Sequence, residues 1–216
     1  MVNLRCPCQP IPDDWGDWDR VHALIDNTLS PERVPYRALT QQTVLSAQHV
    51  RMALRPSPSQ RIWWIFWTTT GGKRVIVAIP YASLTVGSRH QGASWVYNVW
   101  DDTLWKGDGT IFDVESTAEG QWLVDCYRFC GELTGRLDLL QKKRMVRLAQ
   151  LHRDTVFKSH IAWIPSVPAQ KVSSLSVKRY SFEGVMALPL FSGVRWIIRD
   201  QDSPSTEKDR TAVLPS

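Results

Sequence analysis

Residues 107–131 read GDGTIFDVESTAEGQWLVDCYRFCG (Gly107–Gly131). Side chains alternate along a strand, so Thr110-Ile111-Phe112-Asp113-Val114-Glu115 puts Ile111, Asp113 and Glu115 on one face. Thr110, Phe112 and Val114 fall on the other. Ala118-Glu119-Gly120-Gln121 has turn composition. Trp122 to Cys130 is dominated by β-branched and aromatic residues, the composition of a second strand. A helical period follows from about Thr134 to Arg153. The centre is therefore a hairpin leading into a helix, with carboxylates near the strand ends.

The flanking sequence extends this pattern. Ile62-Trp63-Trp64-Ile65-Phe66-Trp67, then Gly71-Gly72, then Lys73 to Ile79 predicts a second hairpin. Its first strand is apolar on both faces, as a central strand requires. The spacing of Val21, Leu24 and Ile25 predicts a helix from Arg20 to Leu29, and a second is expected over about Ala38–Leu54. Tyr81–Gly92 reads as a polar loop, strands are expected at Ser94–Trp100, Tyr180–Leu188 and Val194–Arg199, and Ile161–Ile164 reads as a short strand or a loop. The expected class is α+β, an antiparallel sheet core with flanking helices. The expected organisation is an irregular acidic, Trp-bearing segment over residues 1–19, one domain over 20–200 and a disordered tail over 201–216.

Composition narrows function only broadly. The chain has 216 residues, 43% hydrophobic and 22% charged, with a net charge of +5. That balance permits a phosphate-rich partner without requiring one. No run of about 18 apolar residues is present to span a bilayer. The N-terminus lacks the apolar core of a secretory signal. The expected location is cytoplasmic or nuclear. Cys6 and Cys8 are too closely spaced for an ordinary zinc knuckle, and Cys126 and Cys130 read as same-face core thiols kept reduced. The eleven Trp residues supply either core or stacking surfaces for bases and cations. Lys142, Lys143, Arg144 and Arg147 form a basic cluster, read as a solvated face or a phosphate contact, and His152 as a helix cap. The acidic patch Asp13 to Asp19, with Trp15 and Trp18, either docks a protein partner or folds back onto the domain.

The order of Gly72-Lys73-Arg74, Thr110-Ile111-Phe112-Asp113, Leu123-Val124-Asp125, Phe182-Glu183-Gly184-Val185-Met186 and Arg195-Trp196-Ile197-Ile198-Arg199 resembles the covalent nucleotidyltransferase fold. That is the fold of mRNA capping enzymes and of DNA and RNA ligases. The resemblance spans about residues 60–200. Where that family carries its nucleophilic lysine, this chain reads Pro56-Ser57-Pro58-Ser59-Gln60-Arg61, keeping only the arginine. The lysine expected after Glu183-Gly184 is Ala187, and the final strand carries Arg in place of Lys. An amine is needed to form the phosphoramidate, so the resemblance points to a branch without catalysis. Such a branch is the snurportin-like cap-binding domain, whose motifs this order matches more closely.

That resemblance implies binding of an RNA 5′ cap or related guanine nucleotide, possibly trimethylguanosine, without a cofactor. It implies Trp196 as the residue stacking on the methylated base. A flat cationic base prefers Trp faces, and its phosphates need Lys or Arg. Trp67 is then a second wall, Lys73, Arg89 and Arg199 hold the phosphate bridge, and Glu183 accepts from the guanine edge. The alternative is a divergent RNA guanylyltransferase or ligase that uses GTP. Lys106, in Lys106-Gly107-Asp108-Gly109, or Lys73 would be its nucleophile, and Asp113 and Glu115 would hold Mg²⁺.

Overall fold

The structure is a computed structural model. It describes residues 8–28, 50–84, 90–96, 102–134, 137, 139–143, 161–176, 178, 180–189 and 196–198. The chain is α+β, mostly antiparallel β-sheet with a few helices. The larger sheet is built from β1 (Cys8–Pro10), β3 (Gln60–Thr68), β4 (Arg74–Pro80), β5 (Ser94–Val96), β6 (Thr110–Ser116), β7 (Gln121–Phe129), β8 (Glu132–Leu133) and β9 (Ile161–Trp163). Its order is β1-β5-β4-β3-β6-β7-β8, with β9 added parallel to β7. The smaller sheet has the order β10-β2-β11-β12, from β2 (Val50–Pro56), β10 (Val167–Pro168), β11 (Phe182–Pro189) and β12 (Trp196–Ile198).

Both hairpins expected from the sequence are present. In the first, Thr69 and Lys73 close the turn through Thr69 N–H to Lys73 O at 2.8 Å, and Gly72 takes a φ of 79°. In the second, the Thr117 N–H reaches Gly120 O at 2.9 Å, and the Thr117 hydroxyl accepts the Gly120 N–H at 3.1 Å. The central strand β3 is covered on both faces, which is why its apolar residues do not alternate with polar ones. Ile62, Trp64 and Phe66 pack with Phe112, Val114, Leu123 and Leu104 on one side. Trp63, Ile65 and Trp67 pack on the other against Val21, Leu24 and Ile25 of α1 (Trp18–Thr28). A short helix, α2 (Tyr81–Leu84), replaces the start of the expected polar loop.

The smaller sheet covers the same face of the larger sheet as α1, at the other end. Directly opposed residues of paired strands share a face. Arg61 lies opposite Glu115, and Glu115 opposite Trp122. Trp122 and Val124 pack with Ala53, Leu54, Met186 and Leu188 of the smaller sheet, and Trp122 meets Tyr180 at 4.7 Å. The two sheets are joined by Ser57-Pro58-Ser59 between β2 and β3. The Ser57 N–H bonds to Ser181 O at 2.9 Å, and the Ser59 hydroxyl to Pro56 O at 2.9 Å.

Two expectations are corrected, and one left with two readings takes the second. The helix expected over 38–54 ends instead in a strand: residues 50–56 form β2, held between β10 and β11. Backbone pairing on both sides overrides the helix propensity of Met52, Ala53 and Leu54; residues 38–49 lie outside the described residues. Cys130 does not continue the strand with Cys126; it sits in the turn after β7 with a φ of 52°. The acidic Trp patch is packed into the domain: Trp15 meets Trp18 at 5.1 Å and Trp95 at 4.6 Å, and Asp17 is buried. Of the helix expected over 134–153, residues 139–143 are helical, and Arg144, Arg147 and His152 lie outside the described residues, as does the tail. No helix among the described residues is long and apolar enough to cross a membrane.

Candidate functional site

Between the patch covered by α1 and the patch covered by the smaller sheet, the shared face of the larger sheet carries a polar centre. Arg61 rises from the start of β3. Its Nε donates to Asp113 Oδ1 at 3.1 Å and its Nη2 to Asp113 Oδ2 at 2.8 Å. The Tyr127 hydroxyl donates to the same Oδ2 at 2.6 Å. Tyr81 lies over the guanidinium, its ring centre 3.6 Å from Cζ, and Trp63 packs on Tyr127 at 4.8 Å. Asp113 is fully buried, whereas the Arg61 side chain keeps 21% of its surface. Burial works against the Arg61 charge, but Asp113 overcomes it and holds the guanidinium well above its ordinary range.

Around this pair the carboxylates are graded by exposure. Glu115, opposite Arg61, is buried. Asp125 accepts Lys142 Nζ at 2.8 Å, and burial raises its carboxyl although Lys142 pulls it down. Lys142 is itself buried, so it is not part of a solvated basic face. Glu183 is exposed on β11 and accepts the Ser57 hydroxyl at 3.1 Å through Oε2. Arg61, Glu115 and Glu183 thus gather about the Ser57–Ser59 joint between the two sheets.

The other residues singled out by sequence fall elsewhere. Trp67 is buried in the core beneath α1, with Arg20 Cζ 4.8 Å from its ring centre. A core position with a cation already over the ring leaves no open stacking wall. Lys73 is exposed in the β3–β4 turn. That turn is at the opposite end of β3 from the joint, about 30 Å away along the nine residues of the strand. Trp196 opens β12 opposite Ala187, in the same sheet as Glu183. Arg89 and Arg199 lie outside the described residues.

Lys106 is exposed in the turn before β6, also at the far end of the sheet. The glycines around it have a packing reason. A Cβ on Gly109 would stand 2.0 Å from Phe66 O, and one on Gly107 would stand 3.0 Å from Cys130 O. The KGDG string is therefore a tight turn against the β7–β8 turn. The proposed Mg²⁺ pair fits poorly, because both Asp113 oxygens are already bonded to Arg61, and one also to Tyr127. Among the described residues no group of three or more His, Cys, Asp or Glu side chains is arranged to hold a metal ion.

Two features were not legible in the sequence. Tyr81 and Tyr127 come from separate elements and meet Arg61 only through the sheet register. Arg51, Lys143 and Ser166 converge across more than a hundred residues: Arg51 Nε donates to Ser166 Oγ at 2.9 Å and Lys143 Nζ to the same oxygen at 3.3 Å. The Lys142-Lys143 pair was the only signal for it. No protein-family model matches the chain, and no curated protein sequence matches it.

Proposed function

We propose that the chain is a non-catalytic binder of an RNA 5′ cap or a related guanine nucleotide, with its site beside the joint of the two sheets. The observation that carries this reading is the gathering of Arg61, Glu115 and Glu183 about Ser57-Pro58-Ser59. Glu183 is the residue that the resemblance sets against the guanine edge, Arg61 is the arginine kept from the nucleophile motif, and Glu115 belongs to the carboxylate pair of the enzyme alternative; the three surround a loop that lacks the lysine needed for covalent transfer. Of the described lysines, Lys73 and Lys106 are at the far end of the sheet, and Lys171 and Lys178 are exposed between β10 and β11. Lys142 is tied to Asp125, and Lys143 to Ser166 and Ile164 O.

Glu183 is exposed, and its bond to Ser57 engages Oε2, leaving Oε1 as an acceptor for a base edge. Trp196 stands opposite Ala187, four β11 positions from Glu183, about 13 Å along the strand. A dinucleotide cap carries two bases on a triphosphate bridge, which lets the methylated guanine stack on Trp196 while the next base meets Glu183. Trp67 and Lys73 take no part in this site.

The test is a fluorescence titration with unmethylated, N7-methylated and trimethylated dinucleotide caps. Stacking is worth roughly 1–3 kcal/mol per base, so Trp196→Ala should remove most of the affinity. Glu183→Gln should weaken binding about tenfold, and Lys73→Ala should leave it unchanged. Binding indifferent to methylation, or to Trp196→Ala, overturns the reading. A covalent nucleotide adduct formed with GTP and magnesium would replace it with the lysyl-nucleotide enzyme.

A further inference from the structure

The geometry points to a phosphate-binding site formed by Arg51, Lys143 and Ser166, where β10 and β2 of the smaller sheet meet the end of β9. It is separate from the joint and stands whether or not the chain reads a cap. Arg51 lies on β2 opposite Leu188, five residues before the end of that strand. Ser166 lies between β9 and β10, and Lys143 ends the helical residues 139–143.

The first argument is charge. Three other buried or half-buried cations each meet an acid: Arg61 meets Asp113, Lys142 meets Asp125 and Arg128 meets Asp108 at 3.5 Å. Arg51 and Lys143 meet none among the described residues. Both instead donate to Ser166 Oγ, Arg51 also to Ser166 O, and Lys143 also to Ile164 O at 3.4 Å. Two cations brought together without a carboxylate repel one another, and the cost falls when an anion joins them. The Lys143 ammonium carries that signature: burial first, then Arg51, lower it to about 8.

The second argument is donor count. A serine hydroxyl has one proton and two lone pairs. Arg51 and Lys143 occupy the lone pairs, so the Ser166 proton is left to donate. A guanidinium has five N–H bonds and an ammonium three, and the bonds present here use two of each. The cluster therefore presents donors from three side chains, the inventory a phosphate accepts. All three side chains are half-buried, so the site is open to solvent. The Trp163 ring, centred 5.6 Å from Lys143 Nζ, backs the ammonium. Lys171 is exposed on the short 3-10 turn that follows β10.

The phosphate comes either from a small molecule or from an RNA backbone, and one experiment separates these. The full chain is acylated briefly near pH 8 and the reactivity of each lysine is read by mass spectrometry. Inorganic phosphate, compared with chloride at matched ionic strength, should slow Lys143 by about tenfold, as a bound dianion returns the amine to its protonated form. Lys73 and Lys106 should be unaffected. Ser166→Ala should weaken the protection and Arg51→Gln should abolish it, with far-UV circular dichroism confirming that both fold. A short single-stranded RNA that protects Lys143 at lower concentration than inorganic phosphate assigns the site to a backbone phosphate. Protection by inorganic phosphate alone assigns it to a small ligand. If neither protects Lys143 beyond chloride, the site is refuted, whatever the outcome of the cap titration.

Discussion

Asp113 and Arg61 form a two-pronged ion pair, 3.1 and 2.8 Å, in which the acid is fully buried and the base keeps a fifth of its surface. The asymmetry decides which substitution is worse. Without Asp113, the guanidinium still reaches water. Without Arg61, a buried carboxylate keeps a tyrosine hydroxyl where it had a cation. Removing one partner of a buried pair costs about 3–5 kcal/mol, whereas replacing both with apolar groups is often close to neutral. Arg61→Met should therefore destabilise by about 4 kcal/mol and Asp113→Leu by less. The double variant should be more stable than the sum of the two by at least 1 kcal/mol or so. Urea unfolding of the four proteins measures this; strict additivity would mean that the pair contributes nothing as a pair.

Gly109 separates a structural reading of the KGDG turn from a chemical one. Its φ of 82° suits glycine, and an added Cβ would overlap Phe66 O at 2.0 Å. Gly109→Ala should cost about 3 kcal/mol, as strained turn positions with a backbone clash do. Lys106→Ala, exposed in the same turn, should stay within about 0.5 kcal/mol and change no ligand affinity. A loss of nucleotide binding or transfer in Lys106→Ala, with stability intact, would restore the lysine as a functional group.

The hairpins were legible because strand alternation and turn chemistry are local. Gly71-Gly72 and Ala118 to Gly120 set the turns, and the doubly apolar β3 announced its central place. What was not legible depends on pairing partners far along the chain. Residues 50–54 have helix-forming side chains, and only β10 and β11 make them a strand. Asp113 and Glu115 read as a metal pair because nothing local says that Arg61, two strand positions before Trp63, will cross to Asp113. Trp67 read as a stacking wall because sequence does not distinguish a core tryptophan from a surface one; α1 and Arg20 decide that. Of the residues joined to Glu183 by resemblance, Trp67 falls in the core on β3, Lys73 in the β3–β4 turn and Trp196 on β12, because local sequence does not say which strand ends the sheets bring together.

Asp17 clasps the first hairpin to α1. Its carboxylate accepts the Thr70 N–H at 3.0 Å, the Thr70 hydroxyl, and Arg20 Nη1 at 3.1 Å. Burial alone raises its pKa, but the hydrogen bonds from Thr70, helped by that from Arg20, outweigh it and the net shift is downward. A carboxylate whose folded pKa is depressed adds stability above its unfolded value, 3.8, and loses it as pH falls through the lower folded value. Asp17→Asn should cost about 1–2 kcal/mol at neutral pH and flatten the acid limb of the stability curve below pH 4. An unchanged acid limb would show that the clasp does not titrate with unfolding.

The alkaline limb should rise before it falls. Lys143 is lowered from 10.5 to about 8, so from pH 8 upward the folded chain has shed a proton that the unfolded chain still holds. Stability rises wherever the unfolded state binds more protons. Integrated from pH 7 to 9, this one group contributes about 1 kcal/mol. Two groups then oppose it. Burial raises the Cys126 thiol above 9.0, so the unfolded chain loses that proton first, and from about pH 9 the gain is cancelled. Burial likewise raises Tyr180, whose hydroxyl donates to Leu54 O, from 10.0 to about 12, and stability declines from pH 10 onward. Urea midpoints across pH 7 to 11, in buffers without phosphate, should trace a maximum near pH 9. Lys143→Met should remove the rise and keep the decline. A wild-type curve that falls steadily from pH 7 would mean that Lys143 carries its proton as easily in the folded chain as in the unfolded one.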